Sequence, residues 1–414
     1  MTNKDRWTFY CSDICSPNSF IDWGFYYIIA SALQRRVWTG DVRKPLFSNI
    51  YVILTADPGV GKGLIVTEVA KVLRYHKLTK ESQENNENIF AEEAKALKAI
   101  GEKPLLIPMG ADATTYEALV KAMSRACRCS WFYKDGKKLP YIHSSICFCL
   151  EEISSLFRKH TEDLVRFLLV TYDCGDYRYD TVSRGLDVIK SSCLNLFGGT
   201  TPSFIKRIFG DELLTDGFAS RTIFPFELGN RFQRLRPPSF NEEQIKEYEI
   251  LLKHVKDLSE LHGEVKFTSE AEKYLEHWWV HESLHKRVNN SPKLIPYYAR
   301  KNITVQKLAM ILHFSDSLEM SVNLDECKAA LVVLEQVEKK MHNAINLSTK
   351  NPLAELSENI LKYIHRNGPQ SKKELLIEFW SDLQGGKEAL DAILEYLITA
   401  QLVKIGEGKK YEAI

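Results

Sequence analysis

The chain has 414 residues, more than the roughly 100 to 200 of a typical domain, so length alone predicts two or three domains. Its hydrophobic fraction of 44% and charged fraction of 26% are typical of folded globular proteins and exclude a disordered or low-complexity chain. The formal net charge is +1, from 55 Lys and Arg against 54 Asp and Glu. Any attraction to nucleic acid must therefore come from local patches.

The sequence predicts a cytoplasmic protein without a membrane span. The longest apolar stretch near the start, residues 20–33, contains Asp22 and is shorter than the roughly 20 residues that cross a bilayer. Residues 1–6 are polar and lack the features of a secretory signal. The nine cysteines do not have the spacing of common zinc sites, so we expect mostly reduced core thiols and no metal held by them.

The first half of the chain has the pattern of an α/β protein. In an N-terminal segment, residues 1–48, the stretch 17–36 predicts a largely buried helix that packs on the α/β core. Residues 78–103 are rich in Glu, Lys and Asn and predict a solvated helical insertion. Short apolar runs predict strands at 51–55, 105–108, 146–150, 194–198 and 222–226. Strands that alternate with helices indicate a mainly parallel sheet within residues 49–238.

The second half of the chain predicts helices, followed by a small terminal domain. Helical spacing over 242–258, 269–288, 295–319 and 324–344 predicts a helical lid, residues 239–350. Three helices and a hairpin at 402–414 predict a winged helix over residues 351–414.

The predicted third helix of this winged helix is a poor candidate for reading DNA bases. It carries Glu388, Asp391 and Glu395, which repel phosphate. Lys404, Lys409 and Lys410 are better placed for contacts with a nucleic-acid backbone. Docking on a protein partner is an equal alternative.

Residues 56–63, with the sequence Ala-Asp-Pro-Gly-Val-Gly-Lys-Gly, lie between the first predicted strand and its helix. Main-chain N–H groups and a helix N-terminus at such a place can hold phosphate. Against the pattern G-x-x-x-x-G-K-[ST], Ala56 replaces the first glycine and Gly63 replaces the hydroxyl residue that holds magnesium. An ordinary glycine-rich turn is the alternative. The predicted nucleotide-binding residues are Pro58, Gly59, Val60, Gly61, Lys62, Gly63 and Leu64, with Lys62 on the β and γ phosphates of ATP.

Two adjacent carboxylates, Glu151 and Glu152, follow the apolar run 146–150. Ligands of parallel sheets bind at the carboxyl ends of the strands. We therefore expect Glu151 to hold Mg²⁺ and Glu152 to polarise the attacking water. The alternative is a solvated strand end. Without a hydroxyl at Gly63, the metal must rely on phosphates, water and Glu151, so hydrolysis could be slow.

Two further signatures come later in the chain, the polar end of a strand at 195–202 and the segment Gly-Phe-Ala-Ser-Arg at 217–221. In this order the motifs resemble AAA+ ATPases over about residues 17–345, particularly minichromosome-maintenance and superfamily III-type helicases of phages and mobile elements. The resemblance implies an AAA+ P-loop fold with Thr201, or Thr200, near the γ-phosphate. It also implies Arg221 as an arginine finger that acts on a neighbouring subunit, and Arg300 as a second sensor. A homo-oligomeric ring, expected to be a hexamer, would result.

Residues 177–190 alternate in character and predict a β-hairpin. In the similar helicases a hairpin at this place enters the central channel. Arg178, Arg184 and Lys190 are therefore candidate contacts to single-stranded DNA, and Tyr177 or Tyr179 is a candidate stacking platform. A surface hairpin with ordinary charges is the alternative.

The sequence thus favours an ATP-dependent DNA helicase that acts as a ring in replication of a phage or mobile element, with a primase or initiator protein as a candidate partner. One alternative is a nucleotide-gated scaffold that binds or loads DNA with weak hydrolysis. A protein-remodelling AAA+ ATPase is the other.

Overall fold

The computed structural model describes residues 1–40, 44–78, 86–88, 104–134, 137–157, 161–181, 185–210, 217–236, 238–282, 294–349, 352–383, 386–399, 402–406, 408 and 410–413. The chain divides into two compact units, Met1–Ile345 and Asn346–Ile414. The first unit contains the predicted N-terminal and α/β segments and nearly all of the predicted helical segment.

The first 223 residues of the first unit mix helices and strands, as the sequence predicts. Their order is α1 (Asn3–Tyr10), α2 (Asn18–Leu33), β1 (Val37–Thr39), β2 (Leu46–Phe47), β3 (Tyr51–Thr55), α3 (Lys62–Tyr75), β4 (Asn86–Asn88), α4 (Tyr116–Arg125), β5 (Cys127–Lys134), β6 (Lys137–Leu150), α5 (Thr161–Tyr172), β7 (Tyr177–Thr181), β8 (Gly185–Ile189), β9 (Ser192–Thr200), α6 (Pro202–Gly210) and β10 (Thr222–Ile223). The predicted helix at 17–36 is α2, and 13 of its 16 residues are buried.

The main sheet has the strand order β10-β3-β9-β6-β5-β4 among the described strands. Strands β10, β3, β9 and β6 run parallel to one another. Beyond β6, strand β5 pairs antiparallel with β6, and β4 pairs antiparallel with β5. The sheet is therefore mixed. Sequence reasoning overlooked β5, although the Asp-Gly pair at 135–136 is a hairpin signal.

The central strands are apolar because helices cover both faces of the sheet. In β3, Val52 and Leu54 belong to one buried cluster with α2 and α3, whereas Tyr51 and Ile53 belong to a second cluster with α4, α5 and α6. Successive side chains of a strand point to opposite faces, so β3 separates two hydrophobic layers. This packing fixes the carboxyl end of β3, where the candidate site begins.

One predicted strand does not form and another is shorter than expected. Residues 105–108 form no strand; Leu105 and the neighbouring Met109 each make one isolated bridge. The predicted strand 222–226 has only two residues in β10 and one further bridge at Phe226. Most of the predicted insertion at 78–103 lies outside the described residues, and the described part includes the strand β4.

After residue 238 the first unit is mainly helical. Its elements are α7 (Glu242–Glu260), β11 (Gly263–Glu264), β12 (Lys266–Phe267), α8 (Ser269–His277), α9 (Ile295–Phe314), β13 (Ser321–Val322) and α10 (Leu324–Thr349). Helix α8 is shorter than predicted, because a π-helical turn at Trp278–Glu282 comes directly after it.

The second unit contains α11 (Pro352–Asn367), β14 (Gln370–Ser371), α12 (Lys372–Glu378), α13 (Gly386–Thr399), β15 (Val403–Ile405) and β16 (Lys410–Ala413). The three strands form an antiparallel sheet in the order β14-β16-β15. Apolar residues from all three helices and from β15 form the hydrophobic core of this second unit.

Candidate nucleotide site

The glycine loop, residues 56–63, connects the carboxyl end of β3 to α3. Gly59 and Gly61 have φ angles of 86° and 83°, a left-handed conformation that costs other residues about 1–2 kcal/mol. Gly61 directly precedes α3, and no side chain of the described residues caps this helix. The first main-chain N–H groups of α3 are therefore available to an anion.

The remaining predicted loop residues differ in exposure. Val60 is buried and anchors the loop in the core, whereas Pro58 is exposed. Leu64 is 48% exposed on the first turn of α3. A Cβ atom on Gly63 would meet no heavy atom within 4 Å. Val60 thus fixes the loop to the core, while Pro58, Gly63 and Leu64 leave its outer side accessible to a ligand.

Two distant side chains hold the loop by its carbonyl groups. The Ser16 hydroxyl donates to the Gly61 carbonyl at 2.6 Å, and the Asn230 amide donates to the Gly59 carbonyl at 3.2 Å. Sequence reasoning missed both residues, because they lie 45 and 171 residues from their partners. No local pattern connects positions so far apart.

The ammonium group of Lys62 lies over the loop. Its Nζ donates to the main-chain oxygens of Ala56 at 2.6 Å and Asp57 at 2.9 Å. Burial lowers the pKa of Lys62, and the negative charges of Glu152 and Asp57 act in the opposite direction. The structure thus brings together the lysine and the second glutamate that the sequence singled out.

Glu151 and Glu152 follow β6 at the same sheet edge as the glycine loop. A Cβ atom on Gly199, in β9, would lie 2.7 Å from the main-chain oxygen of Glu151 and 3.2 Å from the Cβ of Lys62. Only glycine allows this approach of three chain segments. The absence of a side chain at Gly199 therefore lets the acidic end of β6 approach the start of α3.

The Glu152 carboxylate is oriented by two donors. The main-chain N–H of Ser154 donates to Glu152 Oε1 at 3.1 Å, and the Thr200 hydroxyl donates to the same oxygen at 3.4 Å. The expected polar residue was Thr201, with Thr200 as its alternative. The Thr201 hydroxyl instead pairs with that of Ser203 at 2.8 Å, at the start of α6. Thr200, and not Thr201, therefore contacts Glu152, because successive residues along a strand point to opposite faces.

A cavity of about 840 Å³ lies beside the two glutamates. Residues of α3, including Lys71 and Arg74, form one wall, and Asp112 and Ser155 lie among the other lining residues. Arg74 forms an ion pair with Asp112. The lining of the cavity thus bears charges of both signs beside apolar residues.

Arg221 and Arg300 share one carboxylate. Arg221 Nη2 lies 3.2 Å from Asp173 Oδ2, and Arg300 Nη2 lies 2.8 Å from Asp173 Oδ1. The Arg221 side chain is 11% exposed, that of Arg300 is 27% exposed and that of Asp173 is 43% exposed. The three groups form a small cluster at the surface of the first unit.

This arginine cluster lies at the opposite end of the parallel strands from the glycine loop. Arg221 precedes Thr222, which pairs with Tyr51, the first residue of β3. The loop begins after the last residue of β3, roughly 17 Å further along at about 3.3 Å per residue. Arg300, expected as a second sensor, therefore lies beside Arg221 and not beside Lys62 of its own chain.

The predicted hairpin is present as β7 and β8. Arg178 is exposed on β7, whereas Lys190, at the base, pairs with Asp176 at 3.3 Å. Tyr177 donates to or accepts from the Tyr116 hydroxyl at 2.8 Å, and Tyr179 packs edge-on against the same ring.

The tyrosines of this hairpin thus contact α4 through Tyr116, and their role as a stacking platform stays a prediction. Arg184 lies outside the described residues.

Among the described residues, no three His, Cys, Asp or Glu side chains group as metal ligands. All nine cysteines are free thiols and eight of them are buried.

Within the described parts of the chain, no helix is both long and apolar enough to cross a membrane. Comparison with protein-family models and with curated proteins found no match for this sequence.

Proposed function

We propose that this protein is an AAA+ type ATPase that works as a ring and moves along DNA during replication of a phage or mobile element. The observation that carries the proposal is the convergence of the glycine loop, Lys62, Glu152 and Thr200 at one edge of a parallel sheet. This edge is the usual ligand side of such sheets.

The residues of the loop fit a triphosphate. The uncapped start of α3 offers N–H groups, and the two left-handed glycines allow the chain to curve around a phosphate. Lys62 donates to two main-chain oxygens that phosphate oxygens can replace. Mg²⁺, when bound, neutralises phosphate charge, and Glu151 would hold it because Gly63 has no hydroxyl.

Glu152 is the proposed general base. Its carboxylate accepts a proton from the attacking water or orients that water, and hydrogen bonds from Ser154 and Thr200 fix its direction. Lys62 stabilises negative charge that develops on the phosphoryl oxygens. These roles need no movement of the strands that carry the residues.

Arg221 and Arg300 are proposed to act on the nucleotide of a neighbouring subunit. Both lie far from the loop of their own chain, so only another copy can bring them to a phosphate. Asp173 pairs with both guanidinium groups and orients them at this surface. A closed ring of identical subunits satisfies every site in this way, and a hexamer is the proposed form.

Contact with single-stranded DNA is proposed for the β7–β8 hairpin. Arg178 is the exposed cation that supports this role, and Lys190 would first have to leave Asp176. The helices after residue 238 would serve as the lid, and the second unit as a winged helix, in line with its three helices and antiparallel sheet. A primase or initiator remains a proposed partner.

Two alternatives have specific support. The missing hydroxyl at Gly63 favours a scaffold that binds nucleotide and DNA with weak hydrolysis. The exposed acidic face of α13, with Glu388, Asp391 and Glu395, favours a protein-remodelling ATPase.

A titration of ATPase activity with single-stranded DNA, duplex DNA and no nucleic acid separates the three functions. The helicase proposal predicts stimulation by single-stranded DNA, with loss of turnover in Glu152→Gln. Turnover that ignores DNA would support protein remodelling, and binding of both ligands without turnover would support the scaffold.

A further inference from the structure

A second large cavity lies away from the glycine loop, between α8, α9 and the short strands β11 and β12. Its volume is about 800 Å³, within the range of small-molecule sites, roughly 300–1,000 Å³. It shares no lining residue with the cavity beside Glu151 and Glu152. Nothing in the proposed nucleotide chemistry uses it.

Two indole rings line this cavity. Trp278 and Trp279 are consecutive residues in the π-helical turn after α8. Such turns are rare in proteins and occur frequently at functional sites. Trp278 is buried, and Lys301 Nζ lies 6.0 Å from its ring centroid, whereas Trp279 is only partly buried. Indole faces attract cations and also pack well against hydrocarbon chains.

The charge of the cavity is negative. Glu264, Glu272 and Glu276 line it together with one cation, Lys266. All three carboxylates are exposed, and none has an ion-pair partner among the described residues. Glu272 and Glu276 are four residues apart on α8, a spacing at which like charges repel each other and destabilise a helix. A bound cation would relieve this repulsion.

We propose that this cavity binds an elongated organic cation with two alkylammonium groups. Its ammonium groups pair with the carboxylates of Glu264, Glu272 and Glu276, and its hydrocarbon chain packs on the partly buried indole of Trp279. A free polyamine and two lysine side chains of a peptide both carry this chemistry. The inference is independent of the proposed nucleotide site.

The test is calorimetric titration of the full chain with two ligands of equal length, diaminooctane and octanediol. Only the diamine carries charge, so we expect it to bind about tenfold or more tightly than the diol and to change tryptophan fluorescence. A parallel titration with an N-acetylated lysyl-lysine amide identifies the source, because tighter binding of this peptide indicates a protein ligand and tighter binding of the diamine indicates a free polyamine.

Matched variants on one helix separate the cavity from general surface charge. The double change Glu272→Gln and Glu276→Gln should weaken diamine binding about tenfold or more, whereas Glu270→Gln, exposed on α8 but not lining the cavity, should leave it unchanged. Equal binding of diamine and diol by the unaltered chain would overturn the proposal. An equal loss in Glu270→Gln would overturn it as well.

Discussion

Replacement of Gly61 by alanine tests the geometry on which the candidate site depends. The residue has a φ of 83°, which costs an alanine about 1–2 kcal/mol. Its Cβ would lie 2.8 Å from the Oγ and 3.2 Å from the Cα of Ser16. Ser16 must then move and lose its hydrogen bond to the Gly61 carbonyl, which adds about 1 kcal/mol. We expect a total loss of about 2–3 kcal/mol in the free energy of unfolding, with loss of nucleotide binding.

Gly63→Ala is the matched control two residues further along. Its Cβ would meet no heavy atom within 4 Å, and the residue lies within α3 without a left-handed φ. Alanine there should keep or raise stability, because it favours a helix over glycine by about 0.5–1 kcal/mol. Urea unfolding and binding of a fluorescent ATP analogue measure both variants. Equal stability and equal binding of the two variants would show that neither folding nor nucleotide binding depends on the left-handed turn at Gly61.

Three further predictions concern other parts of the molecule. Gly63→Thr should raise magnesium-dependent ATPase activity severalfold, because it adds the hydroxyl that the loop lacks, at a position with space for a side chain. An unchanged rate would contradict this. Asp173→Asn should lower the ATPase rate severalfold while nucleotide affinity stays constant, because the carboxylate orients two arginines; a change in affinity alone would contradict it. Burial has the largest effect on His143, followed by the positive charge of Arg36, and together they hold its pKa well below the usual value. The unfolded chain therefore binds a proton that the folded chain does not, and stability falls below about pH 6.5 by up to about 1.4 kcal/mol per pH unit. Unfolding in urea from pH 7 to 5 should show a shallower decline in His143→Gln, whereas the exposed His277→Gln should match the unaltered chain.

Features set by local sequence were predictable. The buried helix α2, strand β3 with its glycine loop, and the hairpin β7–β8 result from runs of apolar residues, glycine spacing and alternation within short windows. The order of glycine loop, acidic strand end and polar strand end along the chain was sufficient to predict that Lys62 and Glu152 lie at one edge of the sheet.

Features set by tertiary contacts were not predictable. Whether Thr200 or Thr201 faces Glu152 depends on where β9 ends, and a shift of one residue reverses the answer. Arg300 was expected beside the nucleotide, but α9 packs at the other end of the sheet, where Lys307 donates to Asn49. The sequence pattern of a helix does not show at which end of the sheet its cationic side chains lie once the helix has packed.

In the proposed ring, each nucleotide is shared by two subunits, one with Lys62 and the other with Arg221. The most direct measurement is the ATPase activity of Lys62→Ala and Arg221→Ala variants, first separately and then mixed in equal amounts. Each variant alone should be inactive. Random assembly of the mixture gives about one quarter of interfaces with an intact lysine and an intact arginine, so we expect about one quarter of the normal activity. A mixture that assembles but stays inactive would show that the nucleotide sites are not shared between subunits.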